Sequence, residues 1–179
     1  MESEGVSILA KLFRTGQDKA RLQPLYHAAV AAARAPGWYL EGKVADTLDG
    51  RFDMVAAMLS LALLRLEAEG EAYAAESALL AEIFVDDMDG QLREIGIGDV
   101  VVGKHIGRMM SALGGRLGAY RDALIGDADL DGALERNLYR GAAPDAAAVT
   151  WTAARLRGIH DAMKAMPVPA LLNGQWPDS

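Results

Sequence analysis

The stretch Asp99-Val-Val-Val-Gly103-Lys-His-Ile-Gly107-Arg-Met-Met-Ser-Ala-Leu-Gly114-Gly-Arg-Leu-Gly118-Ala-Tyr-Arg-Asp-Ala-Leu124 decides the fold class. Plotted at about 100° per residue, Val102, Ile106, Met109, Leu113, Leu117, Tyr120 and Leu124 share one stripe roughly 80° wide, the core face of an amphipathic helix. Beside that stripe, Gly103, Gly107, Gly114 and Gly118 share an edge roughly 60° wide. Each glycine costs a helix about 1 kcal/mol relative to alanine, so four cost roughly 4 kcal/mol. A domain holds only about 5–15 kcal/mol of net stability, and such a sacrifice predicts a return. An edge without Cβ atoms lets another helix backbone come close. Either a neighbouring helix of the same chain or a partner's helix fills the groove it makes.

Helical periodicity also dominates outside this stretch, and strand-like alternation is nearly absent. Short apolar periodicity predicts a helix over about Gly5 to Arg14 and a longer one from Asp18 to Arg34, stopped by Pro36-Gly37. Further helices are expected over Asp49–Glu69, Ala72–Arg93 (ended by Gly96-Ile-Gly98), Leu130–Arg140 and Asp145–Met166. Pro167, Pro169 and the Gly174-Gln-Trp-Pro-Asp-Ser end predict a flexible tail over 167–179. The expected architecture is an all-α, single-domain bundle of six or seven helices over residues 1–166.

Composition narrows the function. With 179 residues, 51% of them apolar and 24% charged, the chain has material for a buried core. Twenty-five acids against 18 bases give a formal charge of −7, a field that repels phosphate backbones, so no nucleic-acid specificity is expected. The sequence holds no cysteine, which excludes disulfides and thiolate chemistry and suits a reducing cytoplasm. Met1-Glu2-Ser3-Glu4 reads as neither a secretory nor a transit signal. The longest near-apolar run, Met54–Leu64, has eleven residues, where a spanning helix needs about 20.

Three stretches imitate chemical sites. Gly98-Asp-Val-Val-Val-Gly103-Lys104-His105 follows a phosphate loop until His105 replaces the magnesium-holding hydroxyl, and Asp99 places an anion inside the loop. A small-molecule or nucleotide site on Gly98–Lys104 is the alternative function, weighed against Asp99 as a helix cap. Asp127-Ala-Asp129-Leu-Asp131-Gly132 matches half a calcium loop, but Leu138 stands where the bidentate Glu belongs, leaving a solvated turn as the plainer reading. Asp87-Met-Asp89-Gly90 is weaker still. His27, His105 and His160 form no metal-binding pair, and no nucleophile elbow exists. No metal, no cofactor and no catalysis are expected; the chain reads as a binding protein.

Two further features point to binding. In Ala72–Arg93, Leu80, Phe84, Met88 and Leu92 form the apolar stripe, with Glu82, Asp86, Asp89 and Arg93 opposite. Asp87 falls at the stripe's margin and needs a partner, for which Arg93, Lys104 and Arg108 are candidates. The segment Arg34-Ala-Pro-Gly-Trp38-Tyr39-Leu40 sets two aromatics after a turn. Such residues anchor interfaces, or Trp38 caps the core.

Read in order, these segments resemble the ubiquinol–cytochrome c chaperone family. The resemblance is carried by Arg34-Ala-Pro-Gly-Trp38-Tyr39, by Val44-Ala-Asp46-Thr47-Leu-Asp49-Gly50-Arg51-Phe52-Asp53, and by Asp86-Asp87-Met-Asp89-Gly90-Gln-Leu92-Arg93-Glu94-Ile-Gly96-Ile-Gly98-Asp99. Val102-Gly103-Lys104, Gly115-Arg116-Leu-Gly118-Ala-Tyr120 and Arg136-Asn137 extend it over roughly Leu25 to Arg140. It implies an assembly chaperone for respiratory complex III, bacterial in branch, cytoplasmic and peripheral at the inner-membrane face. Its implied partners are newly made cytochrome b or another complex III subunit, with contact to the membrane or the ribosome. On this view Trp38, Tyr39, Arg51, Asp87, Arg93, Lys104, Gly107 and Gly114 are the candidate client-binding residues.

Overall fold

The structure, a computed structural model, describes residues 3–94 and 99–177, with side chains described at 16–91, 94 and 107–177. Among these residues there is no strand, and the chain forms an all-α bundle. Six helices are long: α1 (Ser3–Ala33), α3 (Leu48–Glu67), α4 (Ala74–Glu94), α5 (Asp99–Leu124), α6 (Leu130–Asn137) and α7 (Ala146–Ala165). Two are single turns, α2 (Gly37–Leu40) and α8 (Val168–Leu172), and a 3₁₀ turn over Gly70–Tyr73 joins α3 to α4.

The bundle is organised around α3. Residues 53–64 are all buried, because α1, α4, α5 and α7 surround the helix on every side. A helix that is apolar all round belongs at the centre of a protein, and the Met54–Leu64 run finds its place there. Met54, Met58, Leu59, Leu61 and Leu66 are all under 2% exposed. Each contributes about 1.5–3 kcal/mol by leaving water. No described helix is long and apolar enough to cross a membrane.

Local chemistry sets the boundaries of α3, α6 and α7. Thr47 caps α3 by accepting from the Gly50 amide at 3.2 Å. Gly50 must lack a Cβ, because one would lie 1.9 Å from the Ala45 carbonyl oxygen. Asp129 caps α6, taking the amides of Asp131 and Gly132, and Asp145 caps α7 through Ala148. The carboxylate that resembled a calcium ligand is thus committed to a helix end.

Several expectations need correction. The two N-terminal helices are one: α1 runs through Thr15-Gly16-Gln17 and through Pro24 without a break. The segment after Pro36 is a helical turn, not a loop. Residues beyond 166 are folded: Val168 and Leu171 are buried in α8, which packs on α1. Gly174 approaches α1 so closely that a Cβ would sit 3.0 Å from the Pro24 carbonyl oxygen. Residues 99–104 are helical, so the phosphate-loop lookalike is a helix start from Asp99 onward, while Gly98 lies outside the described residues.

Candidate functional site

A groove of about 950 Å³ opens where the C-terminal ends of α1 and α4 meet the N-terminal end of α3. Helices α1 and α4 run parallel: Lys19 pairs with Glu82 and Asp86, and a little further along Tyr26 meets Asp87. Their last turns therefore arrive side by side. Val30 comes from α1 and Arg34 from just past its end, and Asp87, Met88, Gln91 and Glu94 come from α4. The facing wall is Tyr39 and Leu40 of α2 with Leu48, Arg51, Phe52 and Val55 of α3. Met109 of α5 and Arg140 complete the lining.

Leu40 and Leu48 are the notable members, 65% and 62% exposed. Two large aliphatic side chains held in water at either end of the short α2–α3 connection give the mouth of the groove an apolar lip. Of the four large exposed hydrophobics among the described residues, these two lie in the groove, whereas Met110 and Ile125 do not.

Behind the lip lies a buried carboxylate. Asp53 is fully buried, with Oδ1 accepting from Arg116 at 2.5 Å and Oδ2 from the Arg140 Nε at 2.6 Å. A second Arg140 nitrogen reaches Asp49 at 2.8 Å. The Arg116 guanidinium also lies 5.6 Å from the Phe52 ring centroid, a cation–π distance. Arg140 adopts φ 53, a left-handed backbone that costs a non-glycine residue about 1–2 kcal/mol, and its three bonds to two carboxylates offset that strain. The quartet of two aspartates and two arginines ties the α6–α7 connection and α5 to the first turns of α3, and so fixes the groove's floor.

Trp38 belongs to the core. It is 1% exposed, packs edge-on against Trp151 at 5.7 Å, and carries Arg155 over its ring at 5.9 Å. Its Nε1 donates to the Ala32 carbonyl at 2.8 Å, and the Tyr39 hydroxyl donates to the Ala33 carbonyl at 3.0 Å. The last carbonyls of a helix lack intrahelical partners. The aromatic pair supplies them for α1. Tyr39 is half-buried and still lines the groove; burial, reinforced by the Asp46 carboxylate, pushes its phenol above the ordinary value.

Asp87 finds its partner in a phenol. Tyr26 donates to it at 2.6 Å and Gln91 at 3.3 Å; burial and then that bond push the Tyr26 hydroxyl well above its ordinary pKa. Of the three cations expected as candidates, Arg108 is exposed and makes no ion pair among the described residues. The side chains of Arg93 and Lys104 lie outside the described residues. Arg51 lines the groove and pairs with Asp46 at 2.7 Å.

Gly107 and Gly114 lie elsewhere, on the outer face of α5. Among the described residues, a Cβ added at Gly107, Gly114, Gly115 or Gly118 meets no atom within 4 Å. The core stripe behaves as its spacing predicts: Leu113 and Tyr120 are buried, and Met109, Leu117 and Leu124 pack against the core. No helix of the described chain occupies the glycine edge from Gly107 onward.

The structure thus gathers Tyr39, Arg51 and Asp87 into one groove, withdraws Trp38 into the core, and sets Gly107 and Gly114 on a second surface. Sequence reasoning missed Leu40 and Leu48. The available signal was two leucines bracketing a short polar segment, each beside a helix end.

The described residues thus form an all-α scaffold with an apolar-lipped, charge-lined groove. The chain belongs to the ubiquinol-cytochrome C chaperone family, whose model matches residues 40–178. That span includes α7 and α8, further than the Leu25–Arg140 stretch on which the resemblance was read. The fold is also similar to the crystal structure of the Cbp3 homolog from Brucella abortus, with 32% identity and a TM-score of 0.77. That match covers 96% of this chain and 97% of the other. No curated protein matches the chain in sequence.

Proposed function

We propose that this chain is an assembly chaperone for ubiquinol–cytochrome c reductase, acting by holding newly made cytochrome b rather than by catalysis. Family membership and the similarity to the Cbp3 homolog support the assembly role. The observation that carries the mode of action is the groove, with Leu40 and Leu48 exposed at its lip. An apolar lip, a polar rim and a pre-formed floor are what an unassembled hydrophobic segment needs for protection from water. Tyr39, Arg51 and Asp87 contact the client there. The open α5 edge at Gly107 and Gly114 offers a second helix-sized contact, with Lys104 on the same helix and Arg93 near the end of α4 as further candidate contacts. The protein works at the cytoplasmic face of the inner membrane, as a peripheral body that requires no cofactor.

The test is photo-crosslinking in cells making complex III, with a crosslinking amino acid at Leu40, Leu48 or, as a control surface, Ile125. Adducts containing cytochrome b are expected from the two groove positions. The double variant Leu40→Ser, Leu48→Ser should keep its melting temperature and lower the amount of assembled complex III. Absence of cytochrome b from groove adducts, together with normal assembly in the double variant, would refute the proposal.

A further inference from the structure

We propose that the groove selects an apolar segment that carries a basic side chain at one end, the chemistry found where a membrane-spanning helix meets its positive flank. The inference rests on the groove being the client site and names which part of a client it grips.

The charges lining the groove do not cancel evenly. Arg51 is neutralised by Asp46, and Arg140 with Arg116 by Asp49 and Asp53. Arg34 follows the last residue of α1, where a cation offsets the negative end of that helix. The α4 wall is left over. Asp87, Gln91 and Glu94 follow one another at helical spacing on one face. Among the described residues, Asp87 takes its hydrogen bonds from two neutral donors, and Glu94 makes no ion pair. Helix α4 ends at Glu94, so its carbonyl end adds negative potential at the same place. Next to these carboxylates lie Val30, Phe52, Val55, Met88 and Met109, an apolar bed.

The arrangement suits one kind of occupant. An apolar segment covers Leu40, Leu48 and the bed, and in doing so excludes water from the α4 wall. A lysine or arginine at its end then meets Asp87 and Glu94 with little screening. Membrane proteins carry such residues on the cytoplasmic flanks of their spans. A segment ending in acids meets like charge and is rejected. The groove therefore reads which end of a hydrophobic span it holds.

Three synthetic Leu/Ala-rich helical peptides, ending in Lys-Arg-Lys, Gln-Gln-Gln or Glu-Glu-Glu, are titrated against the full chain by fluorescence anisotropy at low and high salt. The basic peptide is expected to bind at least about tenfold more tightly than the neutral one at low salt, and the acidic one least. Glu94→Gln, on an exposed residue, should remove several-fold of that preference without changing affinity for the neutral peptide. Asp87→Asn, which keeps an acceptor for Tyr26, should also reduce the preference for the basic peptide. Equal binding of all three peptides, or an unchanged preference in the double variant, overturns the proposal while leaving the groove as a client site. No binding by any peptide, with cytochrome b still crosslinked from Leu48, also overturns it. If both peptide binding and crosslinks fail, the proposed function falls with it.

Discussion

Adding a methyl group at Gly107 and at Gly114 should make the protein more stable. In a helix interior alanine is favoured over glycine by about 1 kcal/mol. That gain is realised only where the new Cβ has room, since overpacking costs about 1–3 kcal/mol. At both positions a Cβ meets nothing within 4 Å among the described residues. The sites are two helical turns apart, about 10 Å, so their effects should add to roughly 2 kcal/mol. For a chain of this size each kcal/mol moves the melting temperature by about 2–4 °C, giving roughly 4–8 °C for the pair. Calorimetry or far-UV circular dichroism on purified protein reads the shift. Gly50→Ala supplies the contrast: its Cβ would press on the Ala45 carbonyl oxygen, a backbone atom, and the variant should melt well below the parent. A lower melting temperature in Gly114→Ala would show that the α5 edge is occupied within the folded chain. The proposal of a second client contact there would then fail. If the edge does receive the client, the stabilised variant should also retain less cytochrome b on affinity purification.

Trp38→Ala should cost about 3–5 kcal/mol, because it empties a core site and removes the indole donor from the Ala32 carbonyl, which keeps only the Ala35 amide; a melting temperature close to the parent's would restore Trp38 to the surface. Arg116→Met should be similarly severe, about 3–5 kcal/mol, since it strips one of two cations from a fully buried carboxylate, whereas Arg51→Met breaks an exposed pair and should leave the transition where it was. Equal effects from the two would contradict the burial argument. Chemical denaturation across pH tests His160, whose pKa is held below the ordinary 6.5 by burial and then by Lys164. The unfolded chain thus binds a proton that the folded chain resists, so stability is fully present above about pH 6.5 and declines as the pH falls below it. His160→Gln should flatten that decline, and an unchanged slope would assign it to other groups.

The long elements were legible because their signals are local. Helix α5 runs over the span expected from periodicity, Asp99–Leu124, and its buried face carries the predicted residues. Breaks were harder to read. A lone glycine is tolerated inside a helix, and α1 passes through Gly16 where a stop was expected. Trp38 was left between an interface anchor and a core cap because Pro36-Gly37 announces a turn. What buries it, Trp151 and Arg155, arrives from α7, far along the chain. The groove was half legible: Tyr39, Arg51 and Asp87 were named, but their meeting depends on α1 and α4 running parallel, which no local pattern encodes. Asp53 and Arg116 stood in the strings that carry the family resemblance, and Arg140 at the end of the stretch it covers. Only the fold shows that the three form one ion cluster around a buried carboxylate.

The docking of α8 on α1 has a consequence for how the protein is born. The α1 wall of the groove belongs to a helix whose flank is covered by α8 and, near Pro24, by Gly174. The floor waits for Arg140 to reach Asp53. A chain still emerging from the ribosome can form α3 and α4 but cannot yet close either feature. Under the proposed function, a product stopped before Val168 should therefore be a poor competitor for the client.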